Sequence, residues 1–181
     1  VGAANVTATM RAFGLPDIRV DRTTFELIRD YIALLDTRAK DKSYREIIAL
    51  SQSSQPTPEQ TAKAEYDFGR ILKDVSSPVD MSRLLDKIYK GEAASTKSCQ
   101  EMLRILGLQQ FNHRLPRYLP DSARMQHKTG TIGSTTNDTG IMYVRGLPVA
   151  ITVFTMDKRV SRTEVEINNE LGYLRSMFQA H

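Results

Sequence analysis

The sequence predicts an α+β protein, an antiparallel sheet flanked by helices, and three observations carry that prediction. Apolar residues recur at helical spacing from Val6 to Leu106. From Ala123 the period shortens to two, the spacing of half-buried strands. Ile167, Leu171, Leu174 and Phe178 then return to steps of four, three and four, which describes an amphipathic helix laid on a sheet.

The elements follow in order. Val6, Met10 and Phe13 mark a first helix, closed at Gly14 with Pro16 barring continuation. Asp17 to Thr24 reads as a polar loop, after which Phe25, Ile28, Ile32 and Leu35 form one helical face. A short helix is expected near Tyr44 to Leu50, then a flexible Ser/Gln connection. Thr57-Pro58 signals a helix reaching about Asp74, and Ser77-Pro78 repeats the signal before Met81, Leu84, Leu85 and Ile88. Thr96 to Leu106 makes another helix, closed by Gly107, with Cys99 on its buried face. Leu115-Pro116-Arg117-Tyr118-Leu119-Pro120 cannot be regular α-helix, because its prolines fix the backbone. Strands follow from Ala123 to Gly130, at Ile141 to Val144 and at Val149 to Thr155, the last two joined by a turn at Arg145-Gly146-Leu147-Pro148.

Composition narrows the function classes. The 181 residues suffice for one domain with a sizeable core, and 40% apolar with 25% charged residues is ordinary for a globular chain. No apolar run approaches the roughly 18 residues of a membrane-spanning helix. The net charge of +4 is spread along the chain, without the basic stripe of a nucleic-acid binder, so no nucleic-acid partner is expected. One cysteine forms no internal disulfide and reads as a buried structural thiol. No His/Cys/carboxylate cluster has ligand spacing, so neither a metal nor a cofactor is expected; His113 and His181 suggest no site. Val1-Gly2-Ala3-Ala4-Asn5 carries no signal-peptide pattern, and a start without Met points to a processed or partial chain.

The chemistry concentrates in His127-Lys128-Thr129-Gly130-Thr131. On an edge strand Lys128 and Gly130 share one face and Thr129 takes the other. A lysine ammonium can bind a substrate carboxylate or lower the pKa of a neighbouring hydroxyl. Glycine permits close approach of a ligand, and the Thr131 backbone N–H can stabilise an oxyanion. His127, with no carboxylate at a fixed local spacing, reads as a packed, hydrogen-bonded histidine turned away from Lys128. Asn5-Val6-Thr7 and Asn137-Asp138-Thr139 match a glycosylation pattern only incidentally, and Asp138 reads as support for the sheet.

Lys-Thr-Gly accompanies Ser-x-x-Lys and Ser-Asp-Asn elements in class A β-lactamases and penicillin-binding proteins. Arg114 to Pro120 followed by Ala123 to Thr131 resembles the approach to that family's Lys-Thr-Gly strand. Thr135-Thr136-Asn137-Asp138 with the two later strands resembles its last hairpin, and Ser77 to Leu85 the helix after its omega loop. Ala3 to Val6 is similar to the residues after Ser-Asp-Asn, and Arg19 to Leu27 to the omega loop itself. A segment at about 37–73 looks like a helical insertion. The resemblance is thus to the C-terminal portion of one penicillin-recognising domain.

The resemblance implies a β-lactam or peptidoglycan-like substrate bound by Lys128, Thr129, Gly130 and Thr131. Lys128 would also tune the proton relay, and the Thr131 N–H would complete the oxyanion hole. It further implies a periplasmic or secreted protein. No serine in this chain is followed three residues later by lysine, and no Ser-Asp-Asn is present. By the family order the nucleophile and first strands lie upstream, to be supplied by that portion or replaced by another copy. Aligned on Arg22, Thr24 stands where family lactamases carry the water-activating glutamate, and Ile28 where an Asn is usual. A shifted alignment would make Glu26 that base; otherwise Glu26 is an acid favoured at a helix start. Three readings stay open: lactamase-like hydrolase, penicillin-binding carboxypeptidase or esterase with slow turnover, and non-catalytic binding protein.

Overall fold

Helices occupy the first part of the chain and an antiparallel sheet the second in the computed structural model, which describes residues 1–53, 55–120 and 123–156. The helices are α1 (Ala3–Ala12), α2 (Thr24–Leu35), α3 (Tyr44–Ser53), α4 (Pro58–Gly69), α5 (Pro78–Lys90) and α6 (Thr96–Leu106). The strands are β1 (Met125–Ile132), β2 (Thr135–Val144) and β3 (Leu147–Met156), in spatial order β1-β2-β3. The α+β expectation is met. The helix expected through Ile167 and Phe178 lies outside the described residues, as does His181.

Helix starts follow their capping chemistry. Thr23 and Glu26 form a reciprocal capping box on α2, and Thr57 and Gln60 do the same for α4, with Pro58 in its first turn. The Ser77 hydroxyl accepts from the Asp80 amide at α5, which ends at Gly91 in the left-handed region (φ 77°).

Four boundaries differ from the sequence expectation. Helix α4 stops at Gly69 rather than near Asp74. Asp74 adopts φ 51° and turns its carboxylate to the amides of Asp21 (2.8 Å) and Arg22 (3.0 Å) and to Arg22 Nε (2.6 Å). These tertiary bonds replace the last turns that local periodicity favoured. Strand β1 does not end at Gly130, and β2 begins at Thr135, well before Ile141. The reason is a hairpin register unbroken from Met125↔Met142 to Ile132↔Thr135, which carries a threonine-rich segment that apolar patterning alone leaves out. The β2–β3 turn is only Arg145-Gly146, both at positive φ (51° and 81°), so Leu147 and Pro148 belong to β3.

Helices α5 and α6 cover one face of the sheet. The Ser82 hydroxyl of α5 lies 2.9 Å from that of Thr152 on β3, which meets Thr139 of β2 at 2.7 Å. Leu85, Cys99 and Ile141 are buried on this side, while Leu115 packs against Tyr118, Met125, Ile151 and Val153 on the other. Helices α2, α3 and α4 form a second packed group with Ala39, Ile47, Ala64 and Phe68 buried. That group leaves and rejoins the chain through one neck, where Arg22 is buried against Asp74 and Asp30 and Arg19 N bonds Val75 O (2.9 Å). Its α4 end touches the β1–β2 turn, where the Ser134 hydroxyl donates to Glu65 O at 3.2 Å. Among the described residues no helix is long and apolar enough to cross a membrane.

Candidate active-site strand

Strand β1 is one of the two edges of the sheet among the described strands, and its two faces differ sharply. Lys128 and Gly130 are exposed, while His127 behind them is only 1% exposed. The Lys128 ammonium donates to the Thr129 carbonyl. Beside it a recess of about 360 Å³ is lined by Ile105, Leu106, Leu108, Phe111, His127 and Lys128. The structure therefore gathers Lys128, Thr129, Gly130 and Thr131 on one accessible edge, with a cation beside an apolar wall.

The opposite face is locked. His127 Nδ1 donates to Asp138 Oδ1 (2.9 Å), and its Nε2 faces Asn112 Oδ1 at 3.1 Å. Asp138, also 1% exposed, uses its other oxygen to accept the Leu115 amide (3.1 Å). His127 pairs with Gly140 across the strands and Asp138 with Thr129, so the imidazole and carboxylate are diagonal neighbours on one face. The packed-histidine expectation holds. Its carboxylate partner was invisible to local spacing, because only the hairpin register brings position 138 beside 127.

Arg114 is the residue that sequence reasoning passed over. Its side chain is buried, and Nη1 donates to both Gly130 O (3.2 Å) and Asn137 O (2.8 Å), while Nη2 donates to Thr131 Oγ1. A guanidinium thus grips the strand segment where the sequence places the oxyanion donor. The one sequence signal was its place at the head of Arg114-Leu115-Pro116, where proline fixes the chain direction.

Glu26 stands apart from this cluster. Its Oε2 accepts from Thr23 N (2.7 Å) and Thr23 Oγ1 (2.8 Å), and these bonds hold its carboxyl below the usual carboxylate range. Thr24 is the first residue of the same helix. Glu65 behaves oppositely: burial raises its carboxyl pKa, and its charge with burial raises that of the Tyr31 phenol, burial first. Among the described residues, no group of three or more His, Cys, Asp or Glu is placed to hold a metal ion.

Comparison with known proteins adds family and fold. Residues 1–174 match the family described as the beta-lactamase enzyme family. A β-lactamase from Sphaerobacter thermophilus aligns over 100% of this chain and 55% of its own, at 21% identity and TM-score 0.65. An ancestral (GNCA) class A β-lactamase aligns over 99% of this chain and 56% of its own, at 24% identity and TM-score 0.67. A PBP-A variant solved as an acyl-enzyme with penicillin G aligns over 99% and 53%, at 21% identity and TM-score 0.63. At these identities the structures speak for the fold, and this chain spans a little over half their length. No curated protein matches the chain.

Proposed function

This chain belongs to the beta-lactamase enzyme family, and from that premise we propose that it forms the substrate-anchoring wall of a penicillin-recognising serine hydrolase. The carrying observation is the exposed Lys128–Thr131 edge, backed by a locked opposite face. Lys128 binds the carboxylate of a β-lactam or D-alanyl-peptide-like substrate from one face of the strand, and the Thr129 hydroxyl donates to the same carboxylate around the open strand edge, a charge-assisted pair of bonds. The Thr131 N–H receives the oxyanion as a serine attacks the acyl carbonyl. That serine is supplied from outside these residues, in keeping with the lack of any Ser-x-x-Lys here. The penicillin G acyl-enzyme of the PBP-A relative supports the substrate class.

The reaction stops readily at the acyl-enzyme in this reading. Glu26 is engaged in capping α2 and Thr24 stands at the aligned base position, so the proposal favours a penicillin-binding hydrolase with slow deacylation over an efficient lactamase. The test is labelling of the complete protein by a fluorescent penicillin. Lys128→Ala should slow acylation about a hundredfold, the scale of one lost charge-assisted contact. Unchanged labelling removes the assignment, and rapid nitrocefin turnover removes the slow-deacylation part. If the complete protein never labels, the family fold serves binding alone. Export to the periplasm or beyond the cell belongs to the same proposal, testable by fractionation.

A further inference from the structure

Gly130 C=O and Thr131 N–H belong to one peptide unit. The chain has no cis peptide among its described residues, so these two groups point in opposite directions. The carbonyl is turned toward Asn137 on β2, where Arg114 Nη1 reaches both Gly130 O and Asn137 O. The Thr131 N–H accordingly points to the outer edge of β1, the side open to a ligand. A guanidinium bond to the carbonyl does two things to that unit. It fixes the rotation of the peptide plane, and it draws electron density toward oxygen, which makes the N–H a stronger donor.

Arg114 is itself held on both sides. Two residues before it, Asn112 contacts His127 Nε2. One residue after it, the Leu115 amide donates to Asp138 Oδ2. His127 and Asp138 bond each other, so one buried imidazole–carboxylate pair ties down the backbone on either side of the arginine. Nη2 on the Thr131 hydroxyl adds a second point on β1.

We propose that Arg114, bracketed by Asn112, His127 and Asp138, is a positioning residue that sets the orientation and donor strength of the Thr131 N–H. The inference rests on the acyl-enzyme reading above and names what prepares its oxyanion site. It does not require Arg114 to touch substrate, because its guanidinium is committed to the strand from behind.

The experiment is infrared spectroscopy of the penicillin G acyl-enzyme formed by the complete protein, with acylation kinetics on the same samples. An oxyanion donor lowers the stretching frequency of the acyl carbonyl. In Arg114→Ala that band should move to higher frequency, and the acylation rate constant should fall about tenfold while KM stays within about twofold. Asn112→Ala, a milder change at an exposed position, should move the band in the same direction by less. Arg114→Lys should recover part of the shift, since one ammonium can still reach the Gly130 carbonyl. A band unmoved in both alanine variants overturns the inference, even where activity falls, because loss of structure lowers the active fraction without retuning the carbonyl. A shifted band with KM alone affected also overturns it. A wild-type protein that forms no acyl-enzyme sinks the proposed function and this inference together.

Discussion

Removing the Asp74 carboxylate should release the neck through which α2, α3 and α4 leave the chain. Asp74 accepts from two backbone amides and from Arg22 Nε, at 2.8, 3.0 and 2.6 Å. Each bond to a charged group contributes roughly 1.5–3 kcal/mol, so the gross loss is several kcal/mol. Two effects reduce it. Asp30 still holds Arg22 Nη1 at 2.9 Å, and water can reach the freed amides. Against that, the Arg22 side chain is only 6% exposed and keeps a partly uncompensated charge beside the Phe68 ring. The net expectation for Asp74→Ala is about 3 kcal/mol of destabilisation. Asp74→Asn keeps an oxygen for the amides and tolerates φ 51°, losing mainly the ion pair, and should cost about half as much. Urea denaturation measures both, and limited proteolysis should show new cleavage near 19–22 and 70–75 in Asp74→Ala first. Equal effects from the two variants would refute the hydrogen-bond part of the reasoning, and a change below about 0.5 kcal/mol in either would refute all of it.

Further outcomes follow from the same contacts. Gly140→Ala should destabilise by roughly 2–3 kcal/mol in thermal or urea melts, because a Cβ there would lie 2.5 Å from Gln126 O and His127 Cβ, and strand backbone cannot move aside cheaply. Glu26→Gln should leave the acyl-enzyme lifetime unchanged, since an amide can still cap Thr23; a lengthened lifetime would restore Glu26 as the water-activating base. Burial raises the Glu65 carboxyl pKa, so the folded state binds its proton more tightly than the unfolded chain does. Stability should therefore fall as pH rises from the unfolded value through the raised folded one, and Glu65→Gln should flatten that fall in melts across the acid range. Glu46, held down to about 2 by the Ser43 bonds and then by Lys42, has the opposite sign. Its contribution is present at neutral pH and lost as pH drops toward that value, so Glu46→Gln should show weaker acid sensitivity.

Much of the helical layer was legible because caps and stops are local chemistry. Thr57-Pro58 and Ser77-Pro78 announce their helices within a few residues, and Gly91 closes one by its left-handed backbone. Where a tertiary bond outbids a local preference, the reading slipped. Residues 70–74 give up helix for the Arg22–Asp74 contact, and Thr135 to Asp138 become strand through pairing rather than through apolar alternation. The Lys128–Thr131 strand was visible for the same reason as the caps, since a cation, a hydroxyl and a glycine stand next to one another in sequence. Its support was not. Asn112, Arg114, His127 and Asp138 are dispersed over three segments, and no spacing rule joins them.

The sequence by itself determined the α+β class, the capped helices, the three-strand meander and the accessible Lys-Thr-Gly edge, because each depends on contacts between near neighbours. Only the tertiary structure decided that Asp138 partners His127 and that Arg114 grips the Gly130–Thr131 peptide from behind. Those assignments depend on strand register and on where a loop crosses the sheet, which are set by the packing of the whole chain.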